Sequence, residues 1–89
     1  MRYLVETSLN QPPTSEILAL LPLETARGLE LEASGLRERL YVAADMSRVW
    51  QVFRSESEEM LHALLSSFPL HPFVTHVVTP LAADQVAAI

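Results

Sequence analysis

The sequence contains no cysteine and no lysine, and each absence excludes a class of chemistry. Without cysteine there is no thiol nucleophile, no disulfide and no thiolate ligand for a metal ion. All six basic residues are arginine, so a Schiff base on a lysine amine is excluded as well. The formal net charge is −5, and without a basic stripe this argues against nucleic acid or an anionic membrane as a partner.

Long apolar runs are also missing from the sequence. No run approaches the roughly 20 residues needed to cross a bilayer, and no basic region precedes an apolar one as in a secretory leader. We therefore expect a cytoplasmic protein. The 89 residues predict a single domain over residues 1–89, of which 49% are hydrophobic and only 19% charged. A domain of this size buries a modest share of its surface, so the apolar excess predicts a homo-oligomer.

Strand and helix patterns alternate along the chain in the order β-α-β-β-α-β. Residues rich in strand formers predict strands over 2–8, 39–44, 48–54 and 74–79. Helical periodicity predicts one helix that ends near Ser34, and a second over residues 57–67. This order is typical of a ferredoxin-like α+β fold, a four-stranded antiparallel sheet with two helices on one face.

The first helix has clear end signals but two possible inward faces. Residues 14–16 offer N-cap candidates, Gly35 is a stop signal, and Pro22 predicts either a kink or a later start. One apolar stripe consists of Ile17, Leu20, Leu21, Glu24, Gly28 and Leu31. A second is nearly as apolar and consists of Leu18, Thr25, Leu29 and Leu36. The sequence leaves the choice between them open.

Two further patterns concern the second helix and the sheet. Ser55 and Glu58 are three residues apart, which indicates a capping box at the start of the second helix. Every predicted strand carries apolar residues on both sides, whereas two helices can cover only one face of the sheet. The other face should pack on the sheet of a second copy, as in a dimeric α+β barrel.

The segment Phe68-Pro69-Leu70-His71-Pro72-Phe73 forms a stiff corner between the second helix and the last strand. Proline fixes φ and lacks a backbone N–H, so no helix can pass through it. Such a corner can hold side chains beside a pocket; the alternative is that it only ends the helix.

This corner, followed by Val78-Thr79-Pro80-Leu81-Ala82, resembles the muconolactone isomerases, which read Leu-Pro-Leu-Phe-Pro-Tyr and then often Val-Thr-Pro-Leu-Ala. Leu61-His62-Ala63-Leu64-Leu65-Ser66 and Leu4-Val5-Glu6 extend the resemblance over nearly the whole chain. It implies a ferredoxin-like fold, closed homo-oligomers and a cofactor-free proton shift within an unsaturated lactone, in bacterial catabolism of aromatic compounds. Such a reaction needs a base, an acid and donors that stabilise enolate charge.

Glu24 is the candidate base, because it lies on an apolar stripe and matches a glutamate in the first helix of the isomerases. Burial there would raise its pKa, and Gly28 one turn on would leave room for a small-molecule ligand. The alternative is a solvated Glu24 on a rotated helix. Arg39 and Tyr41 are candidates for binding a substrate carboxylate or oxyanion. His71 stands where the isomerases usually have Phe, and it is a candidate hydrogen-bond donor to the substrate. The alternative is a local hydrogen bond from His71 to the backbone.

The remaining polar residues carry weaker expectations. Glu6 is expected to line the sheet face or to pair with an arginine, and His62 to be solvated or at an interface. His76 alternates with Val74 and Val78 and is expected to point into the sheet interface. The three histidines lack the i, i+4 spacing of a helical metal site, so we expect no metal and no cofactor.

One strand departs from the isomerase pattern. The isomerases have a run close to Trp-Arg-His-Leu-Trp-Arg, and this chain has Arg37-Glu38-Arg39-Leu40-Tyr41-Val42. The sequence therefore leaves several functions open: an isomerase or related proton-transfer enzyme, a cofactor-free oxygenase of the same barrel class, or a non-catalytic small-molecule-binding or oligomerisation domain.

Overall fold

A four-stranded antiparallel sheet carries two helices on one face in the computed structural model, which describes residues 1–82. The strands are β1 (Arg2–Leu9), β2 (Arg37–Val42), β3 (Val49–Arg54) and β4 (Val74–Leu81), and the helices are α1 (Ser15–Ala33) and α2 (Glu58–Leu65). The strand order is β2-β3-β1-β4, and all pairs are antiparallel. This confirms the predicted ferredoxin-like fold. Neither helix in the described part is long and apolar enough to span a membrane.

Helix α1 is a single helix that continues through Pro22. The Thr14 hydroxyl caps its start by accepting the backbone N–H of Ile17 at 3.2 Å. Ser34 caps its end, and Gly35 follows with φ of +82°, a left-handed conformation that favours glycine. The predicted ends are therefore confirmed, and the alternative start at Pro22 is wrong.

The first of the two apolar stripes of α1 faces the sheet. Ile17, Gly28 and Leu31 are buried, whereas Leu18 and Leu29 from the second stripe are 56% and 57% exposed. The core between helices and sheet is one cluster of apolar side chains: Tyr3, Val5, Leu31, Phe53, Leu61, Leu65 and Phe68. The stripe of α1 that contains Glu24 is therefore the one that faces the sheet.

The bounds of β2 and β4 differ from the prediction by two residues, and those of β1 and β3 by one. Strand β2 begins at Arg37, two residues earlier than predicted, and ends at Val42. The sequence did not indicate this start, because a charged residue is not expected at a buried strand position. In the structure the Arg37 side chain is buried, and its hydrogen-bond partners explain the burial. Strand β4 continues through Pro80 to Leu81. A proline is tolerated there because β4 is an edge strand.

Helix α2 starts at a different cap from the one predicted. Ser57 is the N-cap, and its hydroxyl accepts the Met60 backbone N–H at 3.1 Å. The Ser55 hydroxyl instead donates to the Ser57 carbonyl at 2.8 Å, so the Ser55–Glu58 capping box is wrong. A single turn of 3₁₀ helix, His71–Phe73, lies between α2 and β4.

The outer face of the sheet, on the side away from the helices, is partly apolar. Strand register places Leu4 beside Val52, and Glu6 beside both Trp50 and Val77 on this face. Tyr41 and Val77 are 56% and 55% exposed there. The predicted two-sided apolar character of the strands is therefore present in the structure.

Candidate functional site

Glu24 lies on the inward side of α1, half-buried between the helix and the Pro-rich corner. Its Oε1 atom accepts the backbone N–H of Leu70 at 2.9 Å, which ties the helix to the corner. Burial raises the pKa of Glu24, while the Leu70 N–H and the charge of Arg37 act in the opposite direction. The carboxylate is thus in a partly desolvated position, with a hydrogen-bond donor and a cation near it.

Arg37 is the cation, and it is buried at the start of β2. Its Nη1 donates to Gln51 Oε1 and its Nη2 to Glu32 Oε2, both at 3.1 Å. The guanidinium also lies against Gly28, where an added Cβ would be 2.5 Å from Nη1. The expectation that Gly28 leaves room for a ligand is therefore wrong, because Arg37 occupies that space.

Sequence reasoning gave Arg37 no role, although one signal pointed to a neighbour of this kind. A glycine inside a helix is less favourable than alanine by about 1 kcal/mol, and it often marks a packing reason. Gly28 lies one turn after Glu24 on the inward stripe. Its lack of a side chain admits the guanidinium, whose positive charge then acts on Glu24.

Two stacked histidines lie at the same corner. The Thr7 hydroxyl and His76 Nδ1 are 2.8 Å apart, and the rings of His71 and His76 stack with centroids 5.8 Å apart and an interplanar angle of 28°. His71 directly follows Leu70, whose N–H binds Glu24. Burial lowers the pKa of His76, and His71 and His62 lower it further. The ring is therefore biased towards its neutral form.

His76 lies on the helix-facing side of the sheet, so the expectation that it points into the interface between two sheets is wrong. Thr7, its directly paired neighbour on β1, is buried on that side together with Val5 and Tyr3. The structure thus places Glu24, Arg37 and His76 on the inward side of the molecule. His71 is exposed at the corner and stacks on His76.

Arg39 and Tyr41 lie on the opposite, outer face of the sheet. Their register partners on β3 are Val52 and Trp50, whereas Arg37 pairs with Phe53, which faces the core. A register shift between Arg37 and Arg39 breaks the usual alternation and sends these two arginines to opposite faces. Within one chain the sheet therefore separates Arg39 and Tyr41 from Glu24. Their roles in binding a substrate stay predictions.

Glu6 and His62 lie outside this cluster. Glu6 is on the outer face, where it accepts from Trp50 Nε1 at 3.0 Å and forms a salt bridge with Arg48 at 3.4 Å. This agrees with the expected pairing with an arginine. His62 is exposed on α2.

An open cleft of about 430 Å³ lies at the other end of the sheet. Its lining includes Met1, Gly35, Leu36, Arg54, Met60 and Leu64. Its lining contains none of the polar residues described above: Glu24, Arg37, His71 and His76. This cleft and the polar cluster are therefore separate features of the described part of the molecule.

Comparison with known proteins identifies the family. The profile of the muconolactone delta-isomerase family matches residues 1–85. The chain belongs to the muconolactone delta-isomerase family. It is 33% identical over 85 residues to a muconolactone delta-isomerase from Cupriavidus pinatubonensis, with 92% of each chain covered.

Solved structures agree with this family on the level of the fold. The crystal structure of a muconolactone isomerase matches with a TM-score of 0.81 and 22% identity, covering 100% of this chain and 98% of that one. A 5-chloro-2-hydroxyhydroquinone dehydrochlorinase from Burkholderia phenoliruptrix, in complex with 2,5-dihydroxybenzoquinone, matches with a TM-score of 0.65 and 15% identity, covering 92% and 94%. At these identities the matches concern architecture alone.

Proposed function

We propose that this member of the muconolactone delta-isomerase family catalyses a proton shift in a small unsaturated lactone or enol carboxylate, with Glu24 as the base. The observation that carries the proposal is the Glu24 carboxylate itself, half-buried and held by the Leu70 N–H beside the charge of Arg37. A catalytic base for carbon acids works best when its pKa is raised towards the working pH. We expect no cofactor in this reaction.

The chemistry follows from what each group does to a proton. Ionised Glu24 removes a proton from a carbon of the ligand, and the electron pair moves towards the carbonyl oxygen as an enolate. The same carboxyl group then returns the proton to the other end of the conjugated system. Burial raises the pKa of Glu24, while the Leu70 N–H and Arg37 favour the ionised carboxylate that acts as the base.

The ligand's approach is constrained by Arg37. Because the guanidinium fills the space beside Gly28, we propose that a ligand reaches Glu24 from the side of the corner, next to Leu70 and His71. His71 is exposed there and keeps its predicted part as a donor to the substrate.

We also propose that the outer face of the sheet packs on a second copy of the chain in a homo-oligomer. Partly exposed apolar side chains on this face, Tyr41 and Val77 among them, support the packing. Arg39 lies on the same face, so a substrate contact from Arg39 or Tyr41 would belong to that interface. The cytoplasm and the catabolism of aromatic compounds are the proposed setting.

A second candidate function is a non-catalytic small-molecule-binding or oligomerisation domain. One observation favours it: Arg37, where the isomerase motif begins with Trp, fills space between helix and sheet and makes two side-chain hydrogen bonds. If these contacts are purely structural, the fold can persist without turnover.

A substrate screen separates the two functions. Purified protein is mixed with a panel of five-membered unsaturated lactones and open-chain enol acids, and the position of the double bond is followed by proton NMR. We expect a shift of the double bond with the wild type, loss of activity in Glu24→Gln, and full activity in Glu16→Gln, which changes an exposed glutamate of the same helix. Binding without any bond shift across the panel would favour the non-catalytic function.

A further inference from the structure

The His76 ring is held in place from two sides, yet one of its nitrogens is unpaired. Nδ1 is 2.8 Å from the Thr7 hydroxyl, and one face of the ring stacks on His71. Nε2 is buried and has no hydrogen-bond partner among residues 1–82. A buried polar atom without a partner destabilises a protein by about 1–3 kcal/mol, so such atoms are uncommon and call for an explanation.

A series of contacts that leads from Glu24 to His76 suggests an explanation for the unpaired nitrogen. Glu24 binds the N–H of Leu70, the next residue is His71, and the His71 ring stacks on His76. The His76 side chain points to the same helix-facing side of the sheet as the Glu24 carboxylate. A polar ligand that contacts Glu24 at the corner and extends along His71 would be directed towards the ring that carries this nitrogen.

We propose that His76 is a second substrate-contacting residue, whose Nε2–H donates a hydrogen bond to the carbonyl oxygen of the ligand on which Glu24 acts. This inference rests on the proposed function and deepens it. Nothing in the sequence pattern assigned His76 this task. The proposed ligand of His76 is a small lactone or enol acid. Its carbonyl oxygen is conjugated to the carbon that exchanges its proton.

The proposal requires one of the two tautomers that the Thr7 contact allows. In it the Thr7 hydroxyl donates to Nδ1, and the ring proton is on Nε2, where it can be donated to the ligand. Burial and the neighbouring histidines hold the pKa of His76 below its ordinary value, so the ring acts as a neutral donor at neutral pH. A preorganised neutral imidazole can stabilise an enolate oxygen in a dry site without reorganisation.

The step is balanced within the ligand and two side chains. Glu24 takes the proton from carbon, the C–H electron pair forms the new double bond, and the carbonyl π pair moves onto oxygen. His76 keeps its proton and only strengthens its hydrogen bond to that oxygen. Return of the proton from Glu24 to the distant carbon then restores the carbonyl, and no oxidant or reductant is needed.

The first test determines which ring nitrogen of His76 carries the proton, and it does not depend on turnover. In ¹⁵N-labelled full-length protein at pH 7.5, long-range ¹⁵N–¹H spectra assign the proton to Nδ1 or Nε2, with His76→Gln identifying the signals. We expect the proton on Nε2, and a shift of that nitrogen on addition of a saturated γ-lactone with a carboxymethyl group at millimolar concentration. A proton on Nδ1, or an unmoved Nε2 signal, would overturn the assignment.

The second test uses variants with matched controls. His76→Leu should lower kcat about 100-fold or more, the usual effect of removing one oxyanion donor, with a smaller change in KM. His76→Gln, which can restore an N–H donor, should regain part of the rate. Thr7→Val should lower kcat and Thr7→Ser should not, because only the hydroxyl orients the ring. Glu59→Gln, an exposed change on α2, should behave as wild type.

The two proposals fail in different ways. If Glu24→Gln abolishes a measurable turnover but His76→Leu leaves kcat unchanged, the His76 assignment is wrong and the isomerase function stands. If no lactone is turned over but the Nε2 signal shifts with the saturated lactone, His76 is a ligand contact and the catalytic proposal fails.

Discussion

The guanidinium of Arg37 lies where a side chain on residue 28 would have to be. A Cβ built on Gly28 would be 2.5 Å from Arg37 Nη1, which is closer than two unbonded atoms of this kind can approach. This contact joins the middle of α1 to the first residue of β2. It also places a positive charge one helical turn from Glu24, where it opposes the effect of burial on the carboxyl pKa.

Gly28→Ala should destabilise the protein although alanine is the better helix former. The added methyl group must displace the buried Arg37 guanidinium from Gln51 and Glu32, and overpacking of this kind costs about 1–3 kcal/mol. Urea denaturation gives the change in the free energy of unfolding.

The matched control is the same change in a protein that lacks the guanidinium. In an Arg37→Ala background, Gly28→Ala should stabilise α1 by about 1 kcal/mol through helix propensity alone. A double-mutant cycle with no coupling between positions 28 and 37 would contradict the close packing of these two residues.

Glu24→Gln should leave the protein folded and alter how its stability depends on pH. The pKa of Glu24 is raised above 4.5 in the folded state, so the folded protein binds more protons than the unfolded chain just above that pH. The stabilisation by the protonated group is complete below pH 4.5 and is lost as the pH rises through the folded pKa. The unfolding free energy of the wild type, minus that of Glu24→Gln, should therefore decrease from pH 4 to pH 7.

Chemical denaturation across this pH range measures the difference, and Glu16→Gln is the control at an exposed site of the same helix. A difference that increases with pH would mean that the folded state prefers ionised Glu24, contrary to its position in the structure.

His76 should contribute a pH dependence of the opposite sign. Its pKa is lowered below 6.5 in the folded state, so between the two pKa values the unfolded chain binds more protons. The contribution of the neutral ring to stability is complete above pH 6.5 and is lost as the pH falls through the folded pKa.

The unfolding free energy should consequently rise with pH over this window, and His76→Gln should flatten that rise. Glu59→Gln, at an exposed position on α2, should retain the slope of the wild type. Equal slopes for the wild type and His76→Gln in thermal or urea unfolding would show that His76 is not desolvated by folding.

The outer face of the sheet should mediate assembly. Val77 is 55% exposed on this face and pairs with Glu6, so Val77→Asp would place a second carboxylate in the proposed interface. The charge would have to be buried without a partner, and we expect the dissociation constant to rise more than about tenfold, which corresponds to roughly 1.4 kcal/mol.

Sedimentation velocity at several concentrations measures this shift, and circular dichroism checks that the variant folds. Met46→Asp is the control, because Met46 is exposed in the β2–β3 turn at φ of 64°, a conformation that aspartate tolerates. An unchanged assembly of Val77→Asp would exclude this face as the contact.

The fold was largely predictable because helix caps and hydrophobic periodicity depend on residues that are close together in the chain. Thr14 caps α1, Gly35 follows its end, and the order of strands and helices left one arrangement of the sheet. The position of Glu24 followed from helical periodicity, once the stripe that contains Ile17 and Leu31 proved to be buried.

The rest of the site depends on contacts between residues far apart in the chain. The register shift after Arg37 turns Arg39 to the outer face. The pattern of the run Arg37-Glu38-Arg39 does not predict this shift. The partnership of His76 with Thr7 joins residues 69 positions apart. Sequence spacing found the residue types that proton transfer needs, but it could not tell which side of the sheet each side chain occupies.

Exchange of a carbon-bound proton in deuterated water is the most direct test of Glu24 as a base. The protein is incubated with an unsaturated γ-lactone acid in deuterated buffer at pH 7.5, and deuterium at each ligand carbon is followed by NMR. We expect enzyme-dependent exchange or double-bond shift with the wild type, none above background with Glu24→Gln, and wild-type behaviour with Glu16→Gln. Exchange that persists in folded Glu24→Gln at the wild-type rate would contradict it.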